Sequence, residues 1–347
     1  MRAGRKVLKE AMKSLTRLLQ IAACLPALLI AGQSFAESTV ATIPVPTPEA
    51  VDVNPITRLV YVASFSTPTI PVISEDSNTV VDTITFPPGP DGQNPEFSGV
   101  AVNPITSRLY ATDPRVGLVY VVDIGRQNRI LTSIAVGGAG DVAVNPRTNK
   151  IYVTGFFSNT VTIIDGRTNT VSTTVSVPFP TKPAVDLFAN RVYVPSQNFI
   201  GQVFVLDGNS DAVLAQIQTG NFTTSVGVDF LRHLAYASNQ GFTPETNNLS
   251  VIDTTTNTVI ATIPTDQTPT PVAVNPFTNR IYVATAFQSQ NVVDVIDGNT
   301  RQIVNRLPVE PNPSDSVIDL VHHLLYISSP NFSSAGGNVV TAIDTRP

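Results

Sequence analysis

Alternation of apolar and polar residues dominates this chain. In Pro271-Val-Ala-Val-Asn-Pro-Phe-Thr-Asn-Arg-Ile-Tyr-Val-Ala284 an alternating run meets a turn cluster, and a second alternating run follows. That is the pattern of a β-hairpin. Pro276 presets its own φ and has no N–H to donate, while the amides of Asn275 and Asn279 satisfy local backbone groups, so both strands stop at the turn. A third strand is expected over Val292 to Asp297, and Asp297-Gly298 turns it into a fourth over Gln302 to Leu307.

The unit recurs. Tyr61, Tyr110, Tyr152, Tyr193, Tyr236, Tyr282 and Tyr326 each stand seven residues after Asn54, Asn103, Asn145, Asp186, Asp229, Asn275 and Asp319. A period of roughly 40–45 residues, each copy rich in Val, Ile and Thr, fits a four-stranded blade better than the short rungs of a β-helix. The third strand ends in Asp123, Asp165, Asp207, Asp253, Asp297 and Asp344, with Ser74 in the remaining copy. Asp followed by Gly or Thr forms turns there, so a structural role is expected. Only Thr345, Arg346 and Pro347 follow Asp344, so the seventh copy lacks a fourth strand, while Thr39 to Val45 copies Thr258 to Pro264. The sequence therefore predicts an all-β, seven-bladed β-propeller with four antiparallel strands per blade, closed by an N-terminal strand that completes the last blade.

Residues 1–36 read as a secretory signal peptide, with a basic start from Arg2 to Arg17, an apolar core from Leu18 to Ala31 and a Ser34-Phe35-Ala36 cleavage site. Residues 37–347 are then one propeller domain. The apolar stretch is short for a membrane anchor. Ile21-Ala22-Ala23-Cys24 resembles a lipobox, but Arg17 and Gln20 interrupt the run before it. Cleavage would remove Cys24, Met1 and Met12, leaving no sulfur and excluding disulfides, thiolate nucleophiles and Cys-ligated centres. The remaining 15 basic and 25 acidic residues give a net charge of −10, which disfavours nucleic acid. The expected location is the periplasm, the cell surface or the extracellular space, with a monomeric protein that does not span a membrane.

These repeats resemble the YVTN family of β-propeller proteins, named for tyrosine-valine-threonine-asparagine runs that the Tyr152-Val-Thr154 and Tyr282-Val-Ala284 stretches approach. The resemblance covers the chain beyond the leader. Copies four, five and seven depart from it by replacing Asn-Pro with Asp186-Leu187, Asp229-Phe230 and Asp319-Leu320. It implies a seven-bladed propeller and an exported or surface location. Activity stays open, because similar propellers serve as surface-layer proteins, lactonases, lyases and electron-transfer subunits.

Chemistry specific to this chain must lie in departures from the repeat. Phe65, Phe156, Phe157, Phe199, Phe242, Phe287 and Phe332 fall in loops between second and third strands, and Phe97, Phe179 and Phe222 in connections between blades. These segments share one face around the channel mouth and suit a peptide, a glycan or an apolar small molecule, or packing between blades. On the innermost strand, Ala101, Ala143, Ala184, Gly227 and Ala273 are small, as a crowded axis demands, whereas Asp52 and Val317 are not. Asp141, Lys182 and Asp315 are expected near Asp52, as a cluster for Ca²⁺ or a polar substrate. His233, His322 and His323 fall in hairpin turns on the opposite face, where His322 and His323 point apart. Arg58, Arg108, Lys150, Arg191, His233, Arg280 and His323 would form a ring of solvated cations on that face. Gly138-Ala-Gly140 precedes a strand and opens no helix, so it is no dinucleotide fingerprint. No cofactor or catalytic residue is indicated. The expectation is an exported scaffold that binds a protein or polysaccharide partner without catalysis, the alternative being a lactonase- or lyase-like enzyme with a polar or metal site at the channel mouth.

Overall fold

The computed structural model describes residues 37–243, 246–265, 268–285, 291–331 and 338–346. Residues 1–36, and with them the leader, lie outside this set. The propeller unit contains seven four-stranded antiparallel sheets arranged as the blades of a ring. The inner strands are Pro48–Asn54, Gly99–Asn103, Val142–Asn145, Ala184–Asp186, Thr223–Asp229, Pro269–Asn275 and Asp315–Asp319. No helix among the described residues is long and apolar enough to cross a membrane.

The turn after each inner strand shows why Asn and Asp recur there. The Oδ1 of Asn145 accepts the N–H groups of Arg147 at 3.0 Å and Thr148 at 3.3 Å, an Asx turn that ends the strand. Four residues after the Asn or Asp, Asn149, Asn190, Asn279 and His233 hold φ between 53° and 57°, where Asn is tolerated best among residues with a Cβ. The Asp at the end of the third strand repeats the device. Asp207 Oδ1 accepts the N–H groups of Asn209 and Ser210 at 3.0 and 2.8 Å, and Asp297 accepts those of Asn299 and Thr300 at 2.9 Å each.

Seven apolar clusters fill the seven seams between neighbouring blades. The seven repeat tyrosines are buried in them, each 0 or 1% exposed. Directly across from Tyr110, Tyr152, Tyr193, Tyr236 and Tyr282 stand Ala101, Ala143, Ala184, Gly227 and Ala273. Directly opposed antiparallel residues share a face. Ala101, Ala143, Ala184 and Ala273 line the central channel, and a Cβ on Gly227 would meet Val274 Cγ2 at 2.7 Å and Val272 Cγ1 at 3.0 Å, so the residue there is small because the next inner strand crowds it around the axis. Asp52 faces Tyr61 in the same way.

The N-terminal strand Ser38–Pro44 pairs antiparallel with Val339–Asp344 and is the outer strand of the seventh blade. Ile43 and Val45 join Tyr326, Val340 and Ala342 in the seam that meets Val51, Val60 and Val62 of the first blade. The ring is thereby closed by segments from the two ends of the propeller.

Candidate functional site at the channel mouth

A channel of about 420 Å³ runs along the axis, within the size range of small-molecule sites. Its walls are the inner strands, and Asp52, Lys182 and Asp315 line it together with Val102, Ala143 and Val274. Asp315 opens its inner strand and Lys182 and Asp141 precede theirs, at the face carrying the blade connections, whereas Asp52 lies further along the strand Pro48–Asn54.

Lys182 Nζ meets Asp315 Oδ2 at 2.5 Å. The carboxylates of Asp315 and Asp52 also satisfy the free edges of inner strands. Asp315 Oδ2 accepts Val51 N–H at 3.0 Å, and Asp52 accepts Val53 N–H at 2.9 Å and Val102 N–H at 2.7 Å. Both acids bridge neighbouring blades, because an inner strand has no further strand to pair its channel edge. Asp141 is different. Its main-chain N–H and C=O pair with Thr154, and its carboxylate accepts no hydrogen bond among the described residues.

The structure adds Glu49, which the sequence reading passed over. Period two sends Glu49 and Asp52 to opposite sides of one strand, so alternation argued against grouping them. Both reach the cluster because the register shifts between Pro48 and Ala50, which interrupts the alternation at Glu49. Burial, followed by Asp141 and Asp315, pushes the Glu49 carboxyl up to about 7. Burial pushes Asp52 up to about 6, against the pull of Lys182 and two backbone N–H donors. Asp141 reaches about 6 through burial and then Asp315, opposed by Lys182. Burial would lower the Lys182 ammonium, but Asp315, Asp52 and Asp141 outweigh it and hold the group above the ordinary lysine value. The result is one fixed cation among four acids, of which Glu49, Asp52 and Asp141 are pushed up toward neutral pH. Buried Glu49 Oε2 has no hydrogen-bond partner.

Around this mouth the phenylalanines form two groups. Phe156 contacts Phe157 and Phe179 at ring-centroid distances of 5.1 and 5.4 Å. Phe199 contacts Phe222 at 5.2 Å and Phe242 at 6.1 Å, and Phe222 meets Phe242 at 5.1 Å. Phe157 is 92% exposed, Phe199 70% and Phe242 62%. Phe65 is half-buried, and Phe97 is buried against Phe86 and Tyr120 between the first two blades, so it belongs to the core. Phe287 and Phe332 lie outside the described residues.

The opposite face departs from the expected ring of solvated cations. Arg108 pairs with Asp123 at 2.9 Å, Lys150 with Asp211 at 2.7 Å and Arg58 with Asp76 at 2.9 Å, and Arg280 pairs with Asp297. The first hairpin turn lies beside the turn after the third strand, so the basic residues fall within reach of its acids. The more distinctive feature of that face is apolar. Phe188 stacks on Phe230 at 4.5 Å, and Phe230 meets Phe277 edge-on at 6.0 Å. Phe188 and Phe277 are exposed, as are Ile56, Leu187, Leu231 and Val321. Each follows the Asn or Asp of its turn by one or two residues, a position that the repeat pattern leaves unconstrained.

No protein-family model matches the sequence. Two curated relatives, both called uncharacterized protein YncE, from Salmonella typhi and Salmonella typhimurium, are 31% identical over 105 residues. The matched stretch is 30% of this chain and 30% of each relative's length. Among solved structures, Kuenenia stuttgartiensis hydrazine synthase is similar with a TM-score of 0.74 at 17% identity, covering 91% of this chain and 99% of that one. A structure of U3-55K matches with a TM-score of 0.71 at 12% identity, covering 86% and 95%. At these identities the likeness shows the fold alone.

Proposed function

We propose that this chain is an exported binding scaffold of the YVTN kind whose loop face grips a protein partner across the third to fifth blades. The observation that carries this reading is the exposed Phe156–Phe157–Phe179 and Phe199–Phe222–Phe242 pair of clusters beside the channel mouth. Solvent-facing phenyl groups bring large contact area at small conformational cost and no hydrogen-bonding groups of their own. Such rings favour the apolar side chains of a protein over a polysaccharide. The acidic cluster at the mouth would read a basic or polar group of the same partner, and Glu49 and Asp141 offer carboxylates with unused hydrogen-bonding capacity.

The test is capture of partners from envelope extracts by the mature chain, repeated with Phe157→Ala and Phe199→Ala together. Loss of two anchor rings is expected to weaken capture by at least about tenfold, each ring contributing ~1–2 kcal/mol. Exposed positions should leave the melt within about 2 °C of the parent. Capture that survives both changes would remove the aromatic rim from consideration.

A second reading rests on a different observation. Carboxyls held near neutral pH beside a lysine in a channel are the arrangement expected of acid–base catalysis, so a lactonase- or lyase-like activity is carried as the alternative. Hydrolysis of a lactone panel by the parent protein, abolished in Asp141→Asn and rising on a titration near pH 6, would establish it. Equal turnover by the parent and Asp141→Asn would dismiss it.

A further inference from the structure

The seam between the seventh and first blades differs chemically from the others on the hairpin-turn face. At the second-to-third and third-to-fourth seams, the Asn that ends an inner strand donates its amide to the next blade. Asn103 reaches Asn149 at 2.8 Å and Asn145 reaches Asn190 at 2.8 Å. At the sixth-to-seventh seam Asn275 reaches Thr345 Oγ1 at 3.5 Å. At the closing seam the donor is lost, because the strand ends in Asp319 as others end in Asp186 and Asp229, but here the slot taken by Thr345 in the last blade is filled by an acid, Glu75. Both slots are defined by the backbone. Glu75 N–H donates to Arg58 C=O at 3.0 Å, as Thr345 N–H donates to His323 C=O at 2.8 Å.

Two buried acids therefore face each other, Glu75 at 4% and Asp319 at 1% exposure. Neither Glu75 oxygen accepts a hydrogen bond, although both are shut off from solvent. Asp319 Oδ1 accepts Val321 N–H at 2.7 Å and His322 N–H at 3.0 Å, which leaves Oδ2 turned toward the seam. His322 Nδ1 lies 2.9 Å from Asp319 Oδ2 and 3.1 Å from Glu75 Oε2. One donor atom from each residue lies within 4.8 Å of the others.

We propose that Glu75, Asp319 and His322 bind one divalent cation of the Zn²⁺ class, which bridges the two blades where the ring closes. Two carboxylate oxygens and one imidazole nitrogen make a donor set that Zn²⁺ takes readily, with a fourth position for water on the His322 side, which is 23% exposed. Tetrahedral ligands about 2.1 Å from an ion lie roughly 3.4 Å apart, so the observed spacings need to open by only a few tenths of an ångström around His322. The ion supplies the positive charge that Glu75 and Asp319 lack in common, and the neutral imidazole presents its Nδ1 lone pair. Three other groups face the cluster. The Arg58 guanidinium stands 3.8 Å from Glu75 Oε2 but is engaged by Asp76 at 2.9 Å, and the buried Tyr326 hydroxyl has no hydrogen-bond partner. This cluster is separate from the acids at the channel mouth and owes nothing to the proposed partner.

The competing account is an imidazolium or a single proton shared by the acids, and metal uptake separates the two. The full chain, freed of metal with a chelator, is titrated with Zn²⁺ at pH 7.5 by calorimetry, and its melt is followed with and without the ion. One equivalent is expected to bind, with a rise in melting temperature of about 5 °C at saturation. Asp319→Asn restores the amide used at other seams, so it should fold at least as stably without metal and bind Zn²⁺ at least about tenfold more weakly. His322→Gln should behave likewise, and His323→Gln should bind as the parent does. Absence of stoichiometric uptake, or uptake that Asp319→Asn and His322→Gln leave unchanged, would overturn the proposal and assign the cluster to the proton.

Discussion

Deletion of residues 37–47 is expected to lower the melting temperature by about 10 °C or more. The segment carries the outer strand of the seventh blade, which pairs with Val339–Asp344 from Ser38 to Pro44. It also delivers Ile43 and Val45, which are 3% and 1% exposed, to the closing seam. Burying two such side chains stabilises the fold by roughly 3–6 kcal/mol. Val45 N–H also loses its bond to Asn338 C=O at 2.9 Å. The third strand of the seventh blade would become an exposed edge, so the truncated protein should also aggregate on heating. Ile43→Ser with Val45→Ser tests the same seam without removing backbone pairing, and about half the loss is expected. A truncated chain that melts with the parent would mean that stability does not depend on closing the ring.

The fold was legible because its determinants are local and repeated. Asn145 and Asp165 each accept backbone N–H groups within a few residues, Asn149 adopts the left-handed backbone between them, and a turn that recurs at fixed spacing declares itself without knowledge of the rest of the molecule. Ring closure was legible for another reason: the strand missing after Asp344 and the spare strand before Pro46 match in sequence as well as in number. The small residues were legible as well, since Ala101 and Ala143 line the channel where a narrow axis asks for them.

The site was legible only in part, since which residues meet across a ring depends on contacts between distant blades. Asp52 stood out at an inner-strand position that is small in most copies, and Lys182 and Asp315 could be placed near it because they lie at or just before the start of inner strands. Glu49 escaped because strand alternation sends it away from Asp52, and no one-dimensional pattern shows the register shift between Pro48 and Ala50. Glu75 and Asp319 are separated by nearly the whole propeller in sequence, and each looks like an ordinary turn residue. The signal was the substitution of Glu75 in a slot held by Gly166, Gly208 and Gly298 in other blades, which becomes informative only once the seam places it against Asp319. Phe188 and Phe277 occupy a turn position with no consensus, so sequence offered no reason to align them.

Replacement of Lys182 by Met should make stability fall with rising pH more steeply than it does in the parent. Glu49, Asp52 and Asp141 have native values near 7, 6 and 6, above the ordinary carboxyl range. The folded state therefore binds protons more readily than the unfolded chain, and stability falls as pH rises from about 4 to about 7. Lys182 limits that loss, because its ammonium lies against Asp315 at 2.5 Å and draws on Asp52 and Asp141 as well. Without it the carboxyls rise further and repel one another uncompensated at alkaline pH. Breaking a fully buried pair costs about 3–5 kcal/mol, and since Lys182 is 28% exposed a loss of about 2–3 kcal/mol is expected at pH 8. At pH 5 most of these carboxyls are protonated, so the deficit should shrink to below ~1 kcal/mol. Glu49→Gln added to Lys182→Met removes one of the repelling charges and should recover part of the loss at pH 8 while changing little at pH 5. Denaturant melts of the three proteins from pH 5 to 8 decide the matter. Parallel curves for the parent and Lys182→Met would mean that the lysine packs against the channel wall without compensating the acids, and the mouth would lose its claim to be an electrostatically poised site.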